Sequence, residues 1–360
     1  MKQNTTKRAF AALAIAATVA LPAVGNSPAI AAPTSGKVTA VKGDIHLGIA
    51  YWETRTYAFQ LMYKGAEAAA AQDKRIDLKG AAPDAGDPSK LVPLFQSLAA
   101  TQKDGLVLQA LAADPFYRPV KTVTDSGEPV IAIDAPPPAN SGVNLFITND
   151  NVQLGSDLAA ELGKKIPATA TGEVIIGTNG PSVPPLKARV IGMQKWFAAN
   201  RPNVTVVGPL STTGNTQSPQ DNYAAWEGIY AQHPKALAYM APSAQDAVSL
   251  GLLEQKKSVK LLVGGMDLEP SVLPYIKQGL VAAVVSPEHW LKGYIATKLL
   301  ALHSEKGKAI PKGVWDTGGL VVNSKNIAAI TKRQANDASM RAAMVAIGDA
   351  QIANSSKYIH

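Results

Sequence analysis

Short apolar runs rich in β-branched residues alternate along this chain with longer segments whose apolar residues recur every three or four positions. The first run, around Ile45, Leu47 and Ile49, has the composition of a buried parallel strand. It stops at Tyr51-Trp52-Glu53-Thr54-Arg55, and a helical stripe of Ala58, Leu61, Met62, Gly65 and Ala69 follows. Residues 75–78 read as a second strand. Asp87-Pro88-Ser89 is a helix start, with an N-cap acceptor and a proline where the missing N–H costs nothing. Residues 105–109, 129–134 and 145–147 read as further strands, with Asp114-Pro115 opening a helix between the first two.

The same order then restarts. Asn149-Asp150 caps a helix carrying Leu154, Leu158 and Leu162. Strands at 174–177, 204–207, 236–240 and 260–267 alternate with helices at 185–200, 222–232 and 244–253. The runs 129–134 and 260–267 both end in a carboxylate and lie about 130 residues apart in matching order. The chain is therefore expected to be α/β: two doubly wound, Rossmann-like parallel-sheet domains joined by several hinge crossings, with a ligand cleft between them. Residues 282–285, 290–302 and 319–322 supply too few elements for a third domain and are expected to return and complete the first. The expected division is 44–148 plus 286–317 for the N-terminal domain, 149–285 plus 318–325 for the C-terminal domain, and 326–360 as a tail of unassigned role.

Composition changes this picture at the amino end. Lys2, Lys7 and Arg8 precede an apolar stretch at 11–20, and Ala29-Ile30-Ala31 forms a small-x-small site. This pattern reads as a secretory signal peptide over 1–31, too short to span a bilayer, and points to the periplasm. The chain has no cysteine, which removes disulfides, thiolate metal sites and a lipid-bearing cysteine. Of the formal charge of +8, three positive charges belong to the signal segment. The remaining lysines are scattered, so nucleic acid is not an expected partner.

Catalytic signatures are absent. The five histidines have neither HxH nor HExxH spacing, and there is no Walker loop, no GxSxG elbow and no GxGxxG fingerprint. No enzyme activity, metal or cofactor is expected. What stands out is a set of polar and aromatic residues where strands end, the place at which open α/β sheets bind ligands. Tyr51, Trp52, Glu53 and Arg55 follow the first strand, Gln109 the third and Asp134 the fourth. Lys187 and Arg189 lie near a helix start, Gln245 follows a later strand, and Asp267 ends another. Carboxylates and amides answer hydroxyls, and aromatic faces answer C–H patches, so a sugar or polyol fits this set.

The ordered segments VIAIDA, FITNDN, LKARVIGMQKWF, SAQDAVSLGLL and LLVGGMD carry a resemblance to the type I periplasmic binding proteins of the ribose/galactose group, the substrate-binding subunits of ABC importers. The resemblance runs from about Asp44 to Val322. It implies cleft aromatics at Tyr57 and Phe59, with Tyr51 and Trp52 nearby, and polar ligand contacts at Asp134, Asn149, Gln245 and Asp267. It implies a cation at either Lys187 or Arg189, and crossings near 148–151, 284–288 and 315–319. The expected protein is a monomer that closes over a sugar or polyol and delivers it to an inner-membrane ABC permease. The alternative is a periplasmic sensor that presents its bound state to a histidine kinase or chemoreceptor. A lactose-repressor-type regulator shares the fold, but would need a DNA-binding helix-turn-helix where this chain has a signal pattern.

Departures from the group are visible too. Ala135, rather than arginine, follows the cleft aspartate, and Ser286-Pro287-Glu288-His289-Trp290 stands where a glutamine is common. Removal of Asp134 is expected to weaken binding at least roughly tenfold while leaving the ligand-free melting curve nearly unchanged.

Overall fold

The computed structural model describes residues 40–213 and 218–360. The expected signal peptide therefore lies outside the described residues. The first lobe is built from β1 (Ile45–Ala50), α1 (Tyr57–Ala70), β2 (Ile76–Ala81), α2 (Pro88–Thr101), β3 (Gly105–Leu108), a 3-10 turn and α3 (Tyr117–Asp125), β4 (Val130–Ile133) and β5 (Leu145–Thr148). The second contains α4 (Asn151–Gly163), β6 (Gly172–Thr178), α5 (Pro184–Asn200), β7 (Val204–Ser211), α6 (Pro219–Gln232), β8 (Ala238–Met240), α7 (Ala244–Lys257), β9 (Val263–Met266), α8 (Leu273–Gln278) and β10 (Ala283–Ser286). The chain continues through α9 (His289–Lys306), β11 (Gly313–Asp316), β12 (Leu320–Asn323), α10 (Ile327–Arg333) and α11 (Asp337–Ala353).

Each lobe is a six-stranded sheet, ordered β11-β5-β4-β3-β1-β2 in the first and β12-β10-β9-β8-β6-β7 in the second. Every pairing of the first sheet is parallel. In the second, only β12 runs antiparallel, against β10. The central strands β3, β4 and β9 are buried along their whole length, as expected when helices cover both faces. Edge strand β2 is half exposed. Asp87 caps α2 by accepting the Ser89 N–H, and Asp150 caps α4 through Gln153.

The two sheets have the same strand order, and one helix pair in each lobe is packed by the same device. On α1 and α9, a Cβ on Gly65 would lie 2.0 Å from the Trp290 carbonyl oxygen, and one on Gly293 would lie 1.8 Å from that of Met62. On α4 and α5, Gly155 and Gly192 are equally close to the carbonyl oxygens of Arg189 and Val152, at 1.9 Å each. Only glycine permits these backbone approaches. They seat the amino ends of α9 and α5 beside the strand ends.

The chain crosses between the sheets after β5, after β10 and between β11 and β12, so of the closing segments α9 and β11 return to the first lobe, whereas β10 and β12 complete the second sheet and not the first as expected. The β11 strand, which pairs parallel to β5, has no counterpart in the sequence reading. Its Val-Trp pair between Gly313 and Asp316 gives too short an apolar run to register. The second strand extends past the expected 75–78 to Ala81, and the final strand is shifted by one residue to Leu320–Asn323.

The tail folds onto both lobes. Ile327 and Ile330 of α10 join the apolar cluster of Val284 and Val322. Met340 and Met344 of α11 join that of Leu61, Tyr294 and Trp315. Residues 334–336 thus make a fourth passage between the lobes.

Candidate functional site

The carboxyl ends of β1, β4 and β9 converge on a cleft of about 440 Å³. Asp134 follows β4 and Asp267 follows β9, and both have left-handed backbones, φ 68 and 62. Each backbone N–H bonds the strand next door, at Ile147 O and Val285 O. This geometry turns each carboxylate out of its sheet toward the cleft.

Asp134 is 4% exposed, and its Oδ1 accepts from Lys292 Nζ at 2.5 Å. Its Oδ2 accepts from Gln109 Nε2 at 3.2 Å. The same Gln109 side chain takes the Trp52 N–H at 2.7 Å, so a fully buried amide fixes both the carboxylate and the aromatic loop. Across the cleft, Arg189 Nη1 lies 3.0 Å from each oxygen of Asp267. Arg189 Nε donates to Asn151 Oδ1 at 3.0 Å, which fixes the guanidinium plane.

His289 joins the two clusters. Its Nε2 lies 2.9 Å from Asp267 Oδ1, and its Nδ1 is 3.2 Å from Lys292 Nζ and 3.7 Å from Asp134 Oδ1. An ammonium can only donate, so Nδ1 accepts and the proton sits on Nε2, directed at Asp267. Burial and the neighbouring Lys292 charge depress the imidazole pKa, which keeps the ring neutral in this arrangement. Burial likewise lowers Lys292. It opposes ionisation of the two aspartates, yet the Lys292 charge holds Asp134 below the carboxylate range, and Arg189 with the His289 Nε2–H does the same for Asp267. Nearby Glu269 is pushed up to about 7, by burial first and then by the Asp267 charge.

Among the expected site residues, Trp52, Glu53, Phe59, Asp134, Arg189 and Asp267 line the cleft, and Gln109 stands directly behind it. Glu53 is held by the Thr56 hydroxyl and by the Gly86 N–H at 2.7 Å. The others lie elsewhere. Tyr51 stacks on Tyr63 with ring centroids 5.4 Å apart, against the first-lobe core. Arg55 is exposed, and so is Lys187, two residues before the buried Arg189 on α5. Tyr57 lines an adjoining cavity of about 20 Å³ with Glu288 and Arg333. Gln245 bonds Ser249 along its own helix. Asn149 sits in the hinge, where its Nδ2 donates to Pro287 O, Thr317 Oγ1 and Gly318 O at 3.0, 2.9 and 2.6 Å.

Sequence reading missed His289 and Lys292. Both belong to α9, which enters the first lobe straight from a crossing, and their i, i+3 spacing is ordinary for any helix. The one available signal was the missing arginine at Ala135, whose charge Lys292 supplies from another element. Lys292 argues against the expectation that losing Asp134 leaves ligand-free stability unchanged, because the lysine is 0% exposed and takes its counter-charge from that carboxylate. Among the described residues, no group of three or more acidic or histidine side chains is arranged to hold a metal ion, and no helix is long and apolar enough to cross a membrane.

Residues 47–309 match the family described as periplasmic binding protein domain. A xylose/arabinose-binding protein of Sulfolobus acidocaldarius is 21% identical over 261 residues, which cover 68% of this chain and 62% of that relative's length. A solved ABC transporter solute-binding protein from Burkholderia graminis, in complex with D-arabinose, is 22% identical with a TM-score of 0.72, over 81% of this chain and 99% of that one. A glucose-galactose binding protein from Geobacillus stearothermophilus is 24% identical with a TM-score of 0.68, over 79% and 99% of the two chains. The two solved structures share this chain's fold. With about three quarters of its length inside the family match, this chain belongs to the periplasmic binding proteins.

Proposed function

We propose that the protein is the periplasmic substrate-binding component of an ABC importer, that it closes by hinge motion over one neutral sugar or polyol, and that it hands this ligand to a membrane permease. The observation that carries this reading is the matched pair Asp134 and Asp267, facing one cleft from two lobes, each already balanced by a protein cation. With Lys292 and Arg189 both committed to these aspartates, the site has no free cation among its described residues to offer an anionic ligand, and its third carboxylate, Glu53, is already held by the Thr56 hydroxyl and the Gly86 N–H. Its carboxylate oxygens instead accept hydroxyls, and the Arg189 guanidinium donates to them. Trp52 and Phe59 offer apolar faces to the C–H side of a pyranose or furanose ring. The sugars bound by the relatives point the same way. Closure would give the two lobes one fixed relation for a permease to recognise.

A thermal-shift screen of the protein against neutral sugars, polyols, amino acids and organic acids tests the reading. A ligand at about 100 times its Kd adds ~2.7 kcal/mol of stability. A rise with a neutral sugar or polyol, recovered unchanged, is the expected result. A rise confined to amino acids or organic acids would overturn the ligand class.

A further inference from the structure

We propose that residues 327–360 form a fourth hinge strand, and that Arg333 within it is a positioning residue for the cleft, acting through Glu288 on His289.

The family match ends at residue 309, ahead of this segment. It is nevertheless firmly attached at both ends. On the second lobe, α10 buries Ile327 and Ile330. On the first, Tyr294 OH donates to Asp349 Oδ1 at 2.6 Å, and the Trp315 indole donates to Gln351 Oε1 at 3.2 Å. Gln351 Nε2 in turn reaches Thr317 O, in the third crossing, at 3.0 Å. Any hinge motion that separates the lobes must therefore move or strain the passage between α10 and α11.

Arg333 stands at that passage. Its Nη1 and Nη2 donate to the two oxygens of Glu288 at 2.8 and 3.0 Å, a two-pronged grip on a side chain that is 8% exposed. Glu288 is the last residue of the second crossing and has a left-handed backbone, φ 51, which residues with a Cβ avoid unless something holds them. The next residue is His289, whose Nε2 reaches Asp267 in the other lobe. The tail thus fixes the backbone from which the interlobe contact springs. The small cavity between Arg333, Glu288, Tyr57 and the cleft residues Asp267 and His289 shows that the tail and the ligand site share one wall.

The test uses ligand-free, full-length protein, so it stands whether or not a sugar is the ligand. Because the chain has no cysteine, Asp84→Cys on the first-lobe rim and Ser182→Cys on the second can be spin-labelled uniquely. Arg333→Met keeps the apolar stem beside Met344 and removes the fork. It is expected to shift the interlobe distance distribution to longer values, by more than the wild-type width, in protein that still melts cooperatively. Arg333→Lys should fall between the two, because one ammonium replaces a two-pronged contact. Adding Glu288→Gln to Arg333→Met should produce no further shift, since both act through one pair. A distribution unchanged in Arg333→Met, or in Arg333→Lys should the first variant fail to fold, overturns the proposal. Additive shifts in the double variant would overturn the route through Glu288.

Discussion

Asp134 and Asp267 occupy the same place in the two lobes. Each follows the strand third from the outer edge of its sheet, each has a left-handed backbone, and each lies within 4 Å of the His289 ring. They differ in their cations. Asp267 takes Arg189 from its own lobe's α5, whereas Asp134 takes Lys292 from α9, the helix that leaves the hinge. Arg189 keeps acceptors at Asn151 Oδ1 and Pro242 O if Asp267 is lost, whereas Lys292 keeps the His289 ring, so Asp134 is expected to matter more for ligand-free stability.

Asp134→Ala strands the Lys292 ammonium at 0% exposure, which should cost about 3–5 kcal/mol, in addition to at least a roughly tenfold loss of ligand affinity. The double variant Asp134→Ala with Lys292→Met removes the uncompensated charge and should recover most of the stability but none of the affinity. Thermal melting of both proteins, beside titration with the ligand found by screening, separates the two roles. A single variant that melts like wild type would show that Lys292 does not depend on Asp134.

Fold and site were unequally legible. The strands β4 and β9 announce themselves, because a fully buried strand is a continuous apolar run and a terminal aspartate is conspicuous at its end. The loop aromatics also stand out, yet only Trp52 of the Tyr51-Trp52 pair faces the cleft, since adjacent side chains point to opposite sides. Lys187 and Arg189 could not be separated by sequence, because their sides of α5 depend on how α4 packs against it. Asn149 bears the same mark as a ligand-binding amide, a polar residue at a crossing, and its side chain is bonded to three acceptors from other crossings. Such distinctions depend on contacts between distant segments, and local pattern does not carry them.

Gly86 approaches the Trp52 indole so closely that a Cβ there would lie 1.9 Å from Nε1. Gly86→Ala should push the ring from its place in the cleft wall and lower ligand affinity on the order of tenfold, the equivalent of ~1.4 kcal/mol. The exposed loop should absorb the change with little effect on melting. Titration beside a melting curve checks this, and a large loss of stability with intact affinity would place the strain elsewhere.

Glu269 sets a pH dependence whose sign is fixed. Its folded pKa is raised from 4.5 to about 7, by burial and by Asp267, so between those values the folded state holds a proton that the unfolded state has lost. Stability from this group is complete below about pH 4.5 and declines as pH rises toward 7. The depressed His289 acts oppositely, losing stability as pH falls below its ordinary 6.5. Glu269→Gln should therefore raise the melting temperature more at pH 7.5 than at pH 5, with the His289 contribution common to both proteins. An equal gain at the two pH values would remove Glu269 as the source.

The hinge can be tested at Asn149, where one amide nitrogen serves three acceptors on the second and third crossings. Asn149→Asp keeps the shape but replaces the donor with an acceptor facing Pro287 O and Gly318 O. Oxygen then opposes oxygen in a site where Asn149 is 5% exposed, and a buried group left without its partner costs about 1–3 kcal/mol. Because the side chain lies outside the cleft lining, it should not change which ligand is chosen, and relative affinities across a ligand series should stay in order while all of them shift together. That joint shift follows if closing the lobes draws on the hinge's internal bonds, since every ligand then meets the same altered cost of closure. A change in the order of preference would instead mean that Asn149 reaches the ligand itself, as the resemblance implied, and that the hinge bonds rearrange on closure.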